Sequence, residues 1–289
     1  MIKVTIIVPV FNAQSTLAKL LNSIVELNYP KEQLQVLFVD NMSSDKSPDI
    51  VRNFGDVELL FETKLQGSYA ARNKAIEAAQ GEIIAFTDSD CIVSPGWLNE
   101  GLEEMMANNI DIVAGNVEFF YEKKSAAEIY DSLVNMQNEI NVRERKIGKT
   151  ANLFVRKHLF NEIGLFDANL RSGGDVEWTK KATDAGFTIS YASKAIVYHP
   201  ARNYKELIIK QVRVGRGQMK LWFKDGKRKK WIANRIFSGF MPVHFKALKV
   251  SMLNKDIQPT RFKIISIWLI AWIAKLSTNY GRLTYCIGK

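Results

Sequence analysis

The tripeptide Asp88-Ser89-Asp90 follows directly on the apolar run Ile83 to Thr87. Alternating carboxylates at a strand end can hold a hard divalent cation while leaving positions for phosphate oxygens and water. Spacing alone says little, since about three carboxylate-x-carboxylate triplets arise by chance at this acid content. The setting adds weight, because a strand interior cannot solvate two charges placed just beyond it; the competing reading is a solvated loop with a helix N-cap. In open α/β sheets, ligands bind outside the carboxyl ends of the strands. Applied along the chain, that rule collects Asn12, Asp40, Asp45, Asp88 and Asp90.

These residues need a parallel sheet to bring them together, and the first half of the chain has its signature, short β-type runs alternating with helix-type stretches. Val4 to Val8 reads as a buried first strand and Ala13 to Leu27 as a helix, with Leu17, Leu20, Leu21, Ile24 and Val25 at helical spacing. Leu34 to Val39, Val57 to Glu62, Ile83 to Thr87, Ile110 to Val117, Ala151 to Val155 and Ala195 to Tyr198 read as strands. Helices are expected over Pro48 to Phe54, Ala70 to Ala79 and Val176 to Ala185, and a polar, helical excursion over Lys123 to Arg145. From Tyr204 the pattern turns helical and basic.

Composition bounds the classes. At 289 residues, 47% hydrophobic and 24% charged, the chain has the make-up of a globular protein with a sizeable core, not a collagen-like, coiled-coil or disordered one. Its two cysteines, Cys91 and Cys286, argue against a disulfide scaffold and suit a reducing compartment. The first residues lack the charged start and cleavage site of a secretory leader. The net charge of +10 is regional: Arg202 to Lys263 holds 17 Lys and Arg against three acids, which leaves the rest at −4. No Gly-x-x-x-x-Gly-Lys-Ser/Thr phosphate loop, Gly-x-Ser-x-Gly elbow or glycine-rich dinucleotide turn occurs. Cys91, beside two acids, would have its thiolate disfavoured rather than activated.

Val8-Pro9-Val10-Phe11-Asn12, Val39-Asp40-Asn41 with Ser43, Ser44 and Asp45, Gly67 with Ala71-Arg72-Asn73, and Asp88-Ser89-Asp90 follow one another in order. Asn152 with Val155-Arg156, Gly164-Leu165-Phe166-Asp167, Gly173-Gly174-Asp175-Val176-Glu177-Trp178 and Tyr198-His199-Pro200 continue the series. Over residues 2 to 202 this resembles the inverting family 2 glycosyltransferases, which use nucleotide-diphosphate sugars. The resemblance implies an α/β GT-A fold, Rossmann-like, with a mostly parallel sheet and helices on both faces, plus a helical C-terminal region. The chain is accordingly divided into a catalytic domain, 1–202, and a basic helical region, 203–289.

By the same resemblance, Pro9, Phe11, Asn12 and Asp40 face the base and ribose, Asp88 faces the ribose or nucleotide, Arg72 sits near the nucleotide, and Ser89 belongs to the nucleotide-sugar site. Asp90 and His199 are implied as ligands of a divalent metal, Mn²⁺ or Mg²⁺, that offsets charge on the leaving nucleoside diphosphate. Asp175 is implied as the general base, on the sugar face opposite the leaving group. The family commonly reads Glu-Asp here; this chain has Gly174, which keeps Glu177 in view as an alternative. Glu177 and Trp178 are candidate acceptor contacts, Trp178 either as a platform or as a core residue.

The tail carries the basic run Lys227-Arg228-Lys229-Lys230-Trp231 and the uncharged run Ile264 to Ala274. As a helix the latter spans about 16 Å, half a bilayer core, too short to cross comfortably. With Trp268 and Trp272 one turn apart and lysines at both ends, it suits a helix embedded in an anionic leaflet; a core helix packed on the catalytic domain or on a partner subunit, and a shallow or true span, are the competing readings. Nucleic acid fits less well, because the aromatics are not interleaved with the charges. Arg213 and Arg216, three apart and flanked by Gly215 and Gly217, could receive an acceptor diphosphate. The expectation is an enzyme on the cytoplasmic face of the cell membrane that uses a UDP-sugar by default and a lipid-linked or polysaccharide acceptor in cell-surface glycan synthesis. A polyprenyl-phosphate glycosyltransferase and a non-catalytic sugar-nucleotide-binding assembly protein are the alternatives.

Overall fold

The computed structural model describes residues 2–255 and 257–287. In chain order the strands are β1 Val4–Val10, β2 Leu34–Asp40, β3 Glu58–Phe61, β4 Ile83–Thr87, β5 Ile92–Val93, β6 Ile112–Phe120, β7 Asn152–Arg156 and β8 Ile189–Pro200. The α-helices are α1 Leu17–Val25, α2 Ser47–Arg52, α3 Ser68–Ala78, α4 Trp97–Ala107, α5 Ala126–Val134, α6 Asn138–Arg145, α7 Leu159–Ile163, α8 Gly174–Asp184, α9 Tyr204–Lys224, α10 Lys229–Phe240, α11 Phe245–Leu253 and α12 Arg261–Ile287.

Among the described residues the strands form one sheet in the order β3-β2-β1-β4-β7-β6-β8-β5. β1 to β4 pair in parallel, and Ile6, Ile7, Val8, Leu37, Phe38, Ile84 and Phe86 are buried, so both faces of this half are covered. The chain moves outward from β1 to β2 and β3, then returns to β1's other side as β4. That reversal opens a crevice at the carboxyl ends of β1 and β4, where Asn12 and Asp88 follow. The remaining half is antiparallel: β7 runs against both β4 and β6, and β5 against β8.

α1 begins at Leu17 rather than Ala13 because the preceding residues turn: the Thr16 hydroxyl donates to the Ala13 and Ser89 carbonyls (3.1 and 3.0 Å). α4, β5 and α7 lie where no element was expected. In α4 the repeat is interrupted by Gly101, whose missing side chain makes room for the Phe154 ring. β8 is three times as long as the run expected there.

The chain divides into two compact units. The first takes residues up to Glu118, Met136–Leu170 and Gly174–His199; the second takes Phe119–Asn135, Arg171–Gly173 and the described residues from Pro200 onward. Instead of a single cut after residue 202, the boundary crosses β6 and β8, and the polar excursion is shared, α5 going to the second unit and α6 to the first.

In the second unit α9 and α12 cross with almost no side chain between them. A Cβ on Gly215 would run into the Thr278 carbonyl, one on Gly281 into the Val212 carbonyl, and one on Gly217 would lie 2.6 Å from the Ser172 carbonyl. These glycines serve close packing, not reception of a diphosphate. Arg282 adds two bonds to Gln218 Oε1 (3.0 and 2.7 Å). Gly215→Val should therefore cost about 3 kcal/mol and lower Tm by roughly 6–12 °C in calorimetry.

Candidate active site

β1 and β2 end in register, Val10 beside Asp40, and the loops beyond them lock together. Asn12, at φ 48°, accepts from the Ser44 amide through Oδ1 (2.8 Å) and donates its own amide to Ser43 Oγ (3.0 Å). Asp45 accepts from the Gln14 and Ser47 amides (3.1 and 3.0 Å). Desolvation opposes its ionisation, but these bonds and the one from the Ser47 hydroxyl outweigh it and lower the carboxyl's pKa. Asp45 is thus a loop brace.

Asp40 is buried; one oxygen accepts from the Ser43 amide (3.2 Å) while Oδ1 has no partner among the described residues. A buried carboxylate oxygen left unpaired is costly, so it suits a ligand donor such as a base N–H or a ribose hydroxyl. Phe11, 50% exposed, follows Val10, the β1 residue in register with Asp40, whereas Pro9 lies within the strand.

α3 carries the next layer. Arg72, buried, donates from Nη2 to Asp88 Oδ1 (2.5 Å), and its guanidinium lies 5.7 Å from the centroid of the Tyr69 ring. Ser89 holds the loop through its carbonyl, which accepts from Thr16. Asp90 Oδ2 and His199 Nε2 face each other at 3.8 Å. That is too far for a hydrogen bond, yet it is a span that two metal–ligand bonds of about 2.1 Å can close.

Asp90, Cys91 and His199 place donor atoms within 4.8 Å of one another. Burial first, then Asp90 and Asp88, push the Cys91 thiol well up. A carboxylate and an imidazole are a donor pair for Mn²⁺ and fit the group expected here.

Asp175 lies in the first turn of α8, with Glu177 beside it. Its Oδ1 accepts from the Tyr69 hydroxyl and the Val176 amide (both 2.9 Å); among the described residues Oδ2 accepts only a long bond from the Thr150 amide (3.3 Å). Burial, then the Asp175 charge, raise the Tyr69 pKa, which keeps this hydroxyl a donor. The departure at position 174 acquires a reason: a Cβ on Gly174 would lie 2.8 Å from the Tyr69 ring. The tyrosine fills the space a glutamate would need.

A connected path therefore runs from Asp175 through Tyr69, Arg72 and Asp88 to Asp90 and His199, all in the first unit. Tyr69 was not anticipated; its partner is 106 positions away, and nothing in Gly67-Ser68-Tyr69 announces it. Trp178 requires a correction. It is 1% exposed, stacks on Phe160 (4.6 Å between centroids) and donates Nε1 to the Gly164 carbonyl (2.6 Å), so it offers no face to an acceptor.

Two asparagines of the ordered series are clamps. Asn73 exchanges two bonds with Phe166 (2.8 and 3.1 Å), and buried Asn152 joins Trp97, Asn116 and Ala195. Arg213 and Arg216 belong to the second unit, exposed on α9, with Arg216 donating to Thr284 Oγ1 (3.2 Å).

Together with its sequence, this arrangement places the chain in glycosyl transferase family 2, which matches residues 5–171. It is a glycosyltransferase. Over 292 aligned residues it is 41% identical to glycosyltransferase AglE of Haloferax volcanii, across 98% of this chain and 96% of that protein. The mannosyltransferase PcManGT from Pyrobaculum calidifontis, solved with GDP-Man and Mn²⁺, shares the fold at a TM-score of 0.67, with 18% identity over 98% of this chain and 87% of that one. S. aureus TarS in complex with UDP-GlcNAc superposes at 0.56, with 20% identity over 99% and 92%. The fold is GT-A, with a helical C-terminal region.

Proposed function

We propose that the chain is an inverting, metal-dependent glycosyltransferase moving a sugar from a nucleotide-diphosphate sugar to a hydroxyl of a lipid-linked or polysaccharide acceptor in cell-surface glycan synthesis, working at the inner face of the cell membrane. The observation that carries it is the Asp90–His199 pair at 3.8 Å, set beside the Arg72–Asp88 ion pair where β4 and β8 end.

The donor enters at the carboxyl ends of β1 and β4. Phe11 stacks on the base, the free Oδ1 of Asp40 accepts from base or ribose, and Pro9, Asn12 and Ser89 shape the loops around it. Arg72 holds Asp88 toward the ribose side while balancing its charge. A divalent cation held by Asp90 and His199 would offset the negative charge gathering on the nucleoside diphosphate as it leaves. Asp175 receives the proton of the attacking hydroxyl at Oδ2, the less occupied oxygen, while Tyr69 holds Oδ1. Glu177, two positions on in α8, contacts the acceptor, and Arg213 and Arg216 remain the groups for an acceptor diphosphate. Attack opposite the leaving group converts an α-linked donor into a β-glycoside.

UDP-sugars are the first donors to test, and GDP-mannose follows, since one structural neighbour holds UDP-GlcNAc and another GDP-Man. The test is release of nucleotide from a panel of UDP-, GDP- and dTDP-sugars with Mn²⁺ or Mg²⁺. We expect metal-dependent release that falls about 100-fold in Asp90→Ala. Absence of release, together with absence of metal-dependent nucleotide binding in calorimetry, would leave the assembly-protein reading in its place.

The second unit supplies the membrane partner. Among the described residues no helix is long and apolar enough to cross a membrane; the attachment proposed is to one leaflet, by a basic surface.

A further inference from the structure

α12 has two apolar faces. One, with Ile267, Ala271, Ala274, Thr278 and Gly281, is buried within the second unit. On the other side Phe262, Ile265, Leu269 and Tyr280 are exposed, Phe262 at 84%. These four recur at helical spacing and trace a stripe about 27 Å long at 1.5 Å per residue, with no charged side chain in its line.

The tryptophans expected to enter a leaflet lie between the two faces and are engaged. Trp268 donates Nε1 to the Val243 carbonyl (2.7 Å) and stacks on Phe245 (4.8 Å); Trp272 donates to the Phe240 carbonyl (3.1 Å). Their role is to fasten the α10–α11 connection along α12. By doing so they lay a second row of exposed residues, Phe237, Phe240, Met241 and Phe245, beside the stripe, Phe237 at 66%. A contiguous exposed apolar surface of this kind marks an interaction site.

The surrounding charge selects the occupant. From Lys229 to Ile287 the sequence has ten Lys and Arg and one acid, Asp256, which lies outside the described residues. An apolar protein partner would not call for so one-signed a segment, whereas an anionic bilayer offers hydrocarbon to the ridge and lipid phosphates to the basic residues of the elements that carry it. We infer that the two rows, Phe237–Phe240–Met241–Phe245 on one side and Phe262–Ile265–Leu269 on the other, form a ridge that inserts into an anionic leaflet. The inference rests on the membrane attachment proposed above and assigns the surface that performs it.

The full chain is mixed with vesicles of phosphatidylcholine alone, or with 30% phosphatidylglycerol, and bound protein is read by flotation. Wild type should bind the anionic vesicles at least tenfold better than the neutral ones. The pair Phe262→Ser with Leu269→Ser, both exposed, should lower binding at least tenfold while leaving Tm and donor hydrolysis unchanged. Lys227→Gln with Arg228→Gln, Lys229→Gln and Lys230→Gln should abolish the preference for anionic lipid. Wild type that binds no vesicle overturns both the attachment and the ridge. Wild type and serine pair binding equally well overturns the ridge alone. A dimer by light scattering that the serine pair converts to monomer, without vesicle binding, assigns the face to a second copy and also overturns it.

Discussion

Asp175→Asn should lower the rate of sugar transfer by about three orders of magnitude and leave donor binding within twofold. The substitution keeps size and shape. The amide oxygen still accepts from the Tyr69 hydroxyl and the Val176 amide, which are the bonds at Oδ1. What is lost is the proton acceptor at Oδ2, where only the long bond from Thr150 competes. General-base contributions run at about 10²–10⁴-fold, and no water needs to be repositioned for the loss to appear. Steady-state transfer to a hydroxyl acceptor gives kcat, and calorimetry with the nucleotide gives binding. A retained rate in Asp175→Asn, with the loss appearing in Glu177→Gln, would move the base by two positions along α8.

Arg72→Ala should cost about 2 kcal/mol and weaken nucleotide binding about tenfold. The guanidinium is buried and neutralises Asp88, which itself sits two positions from Asp90. Removing one member of a buried pair leaves the other charge uncompensated, which typically costs about 3–5 kcal/mol; Asp88 is 27% exposed and water recovers part of that. Denaturant unfolding should show the midpoint falling with an unchanged slope. Arg72→Met, which keeps the apolar stem but not the charge, should fall similarly; a stable Met variant would place the cost in packing.

The parallel half of the fold is readable because β1, β2 and β4 are continuous apolar runs, as strands covered on both faces must be. Ile83–Thr87 matches its expected range, and Asp88 and Asp90 follow it as the strand-end rule requires. β7 was expected as a strand, but its direction is set by pairing with β4 and β6, which no local pattern encodes. α4 hides behind Gly101, a residue chosen for the ring of Phe154 rather than for helix propensity. In the site, carboxylates announce themselves by type. Tyr69 does not, because a tyrosine before an alanine pair reads as core until a partner from α8 is brought to its hydroxyl. Trp178 and the two tail tryptophans show the reverse: a large aromatic invites a binding role, and packing gives its faces to neighbours.

Tyr69 and Arg72 are three residues apart on α3, so they share one face of one short rod. One holds Asp175 and the other holds Asp88. The two carboxylates assigned to opposite partners of the reaction are thereby geared together, and a tilt of α3 moves both. Energetic independence of the two ends is not available to this architecture: changes at Asp88 and Asp175 share a common lever, and their free-energy effects should fail to add.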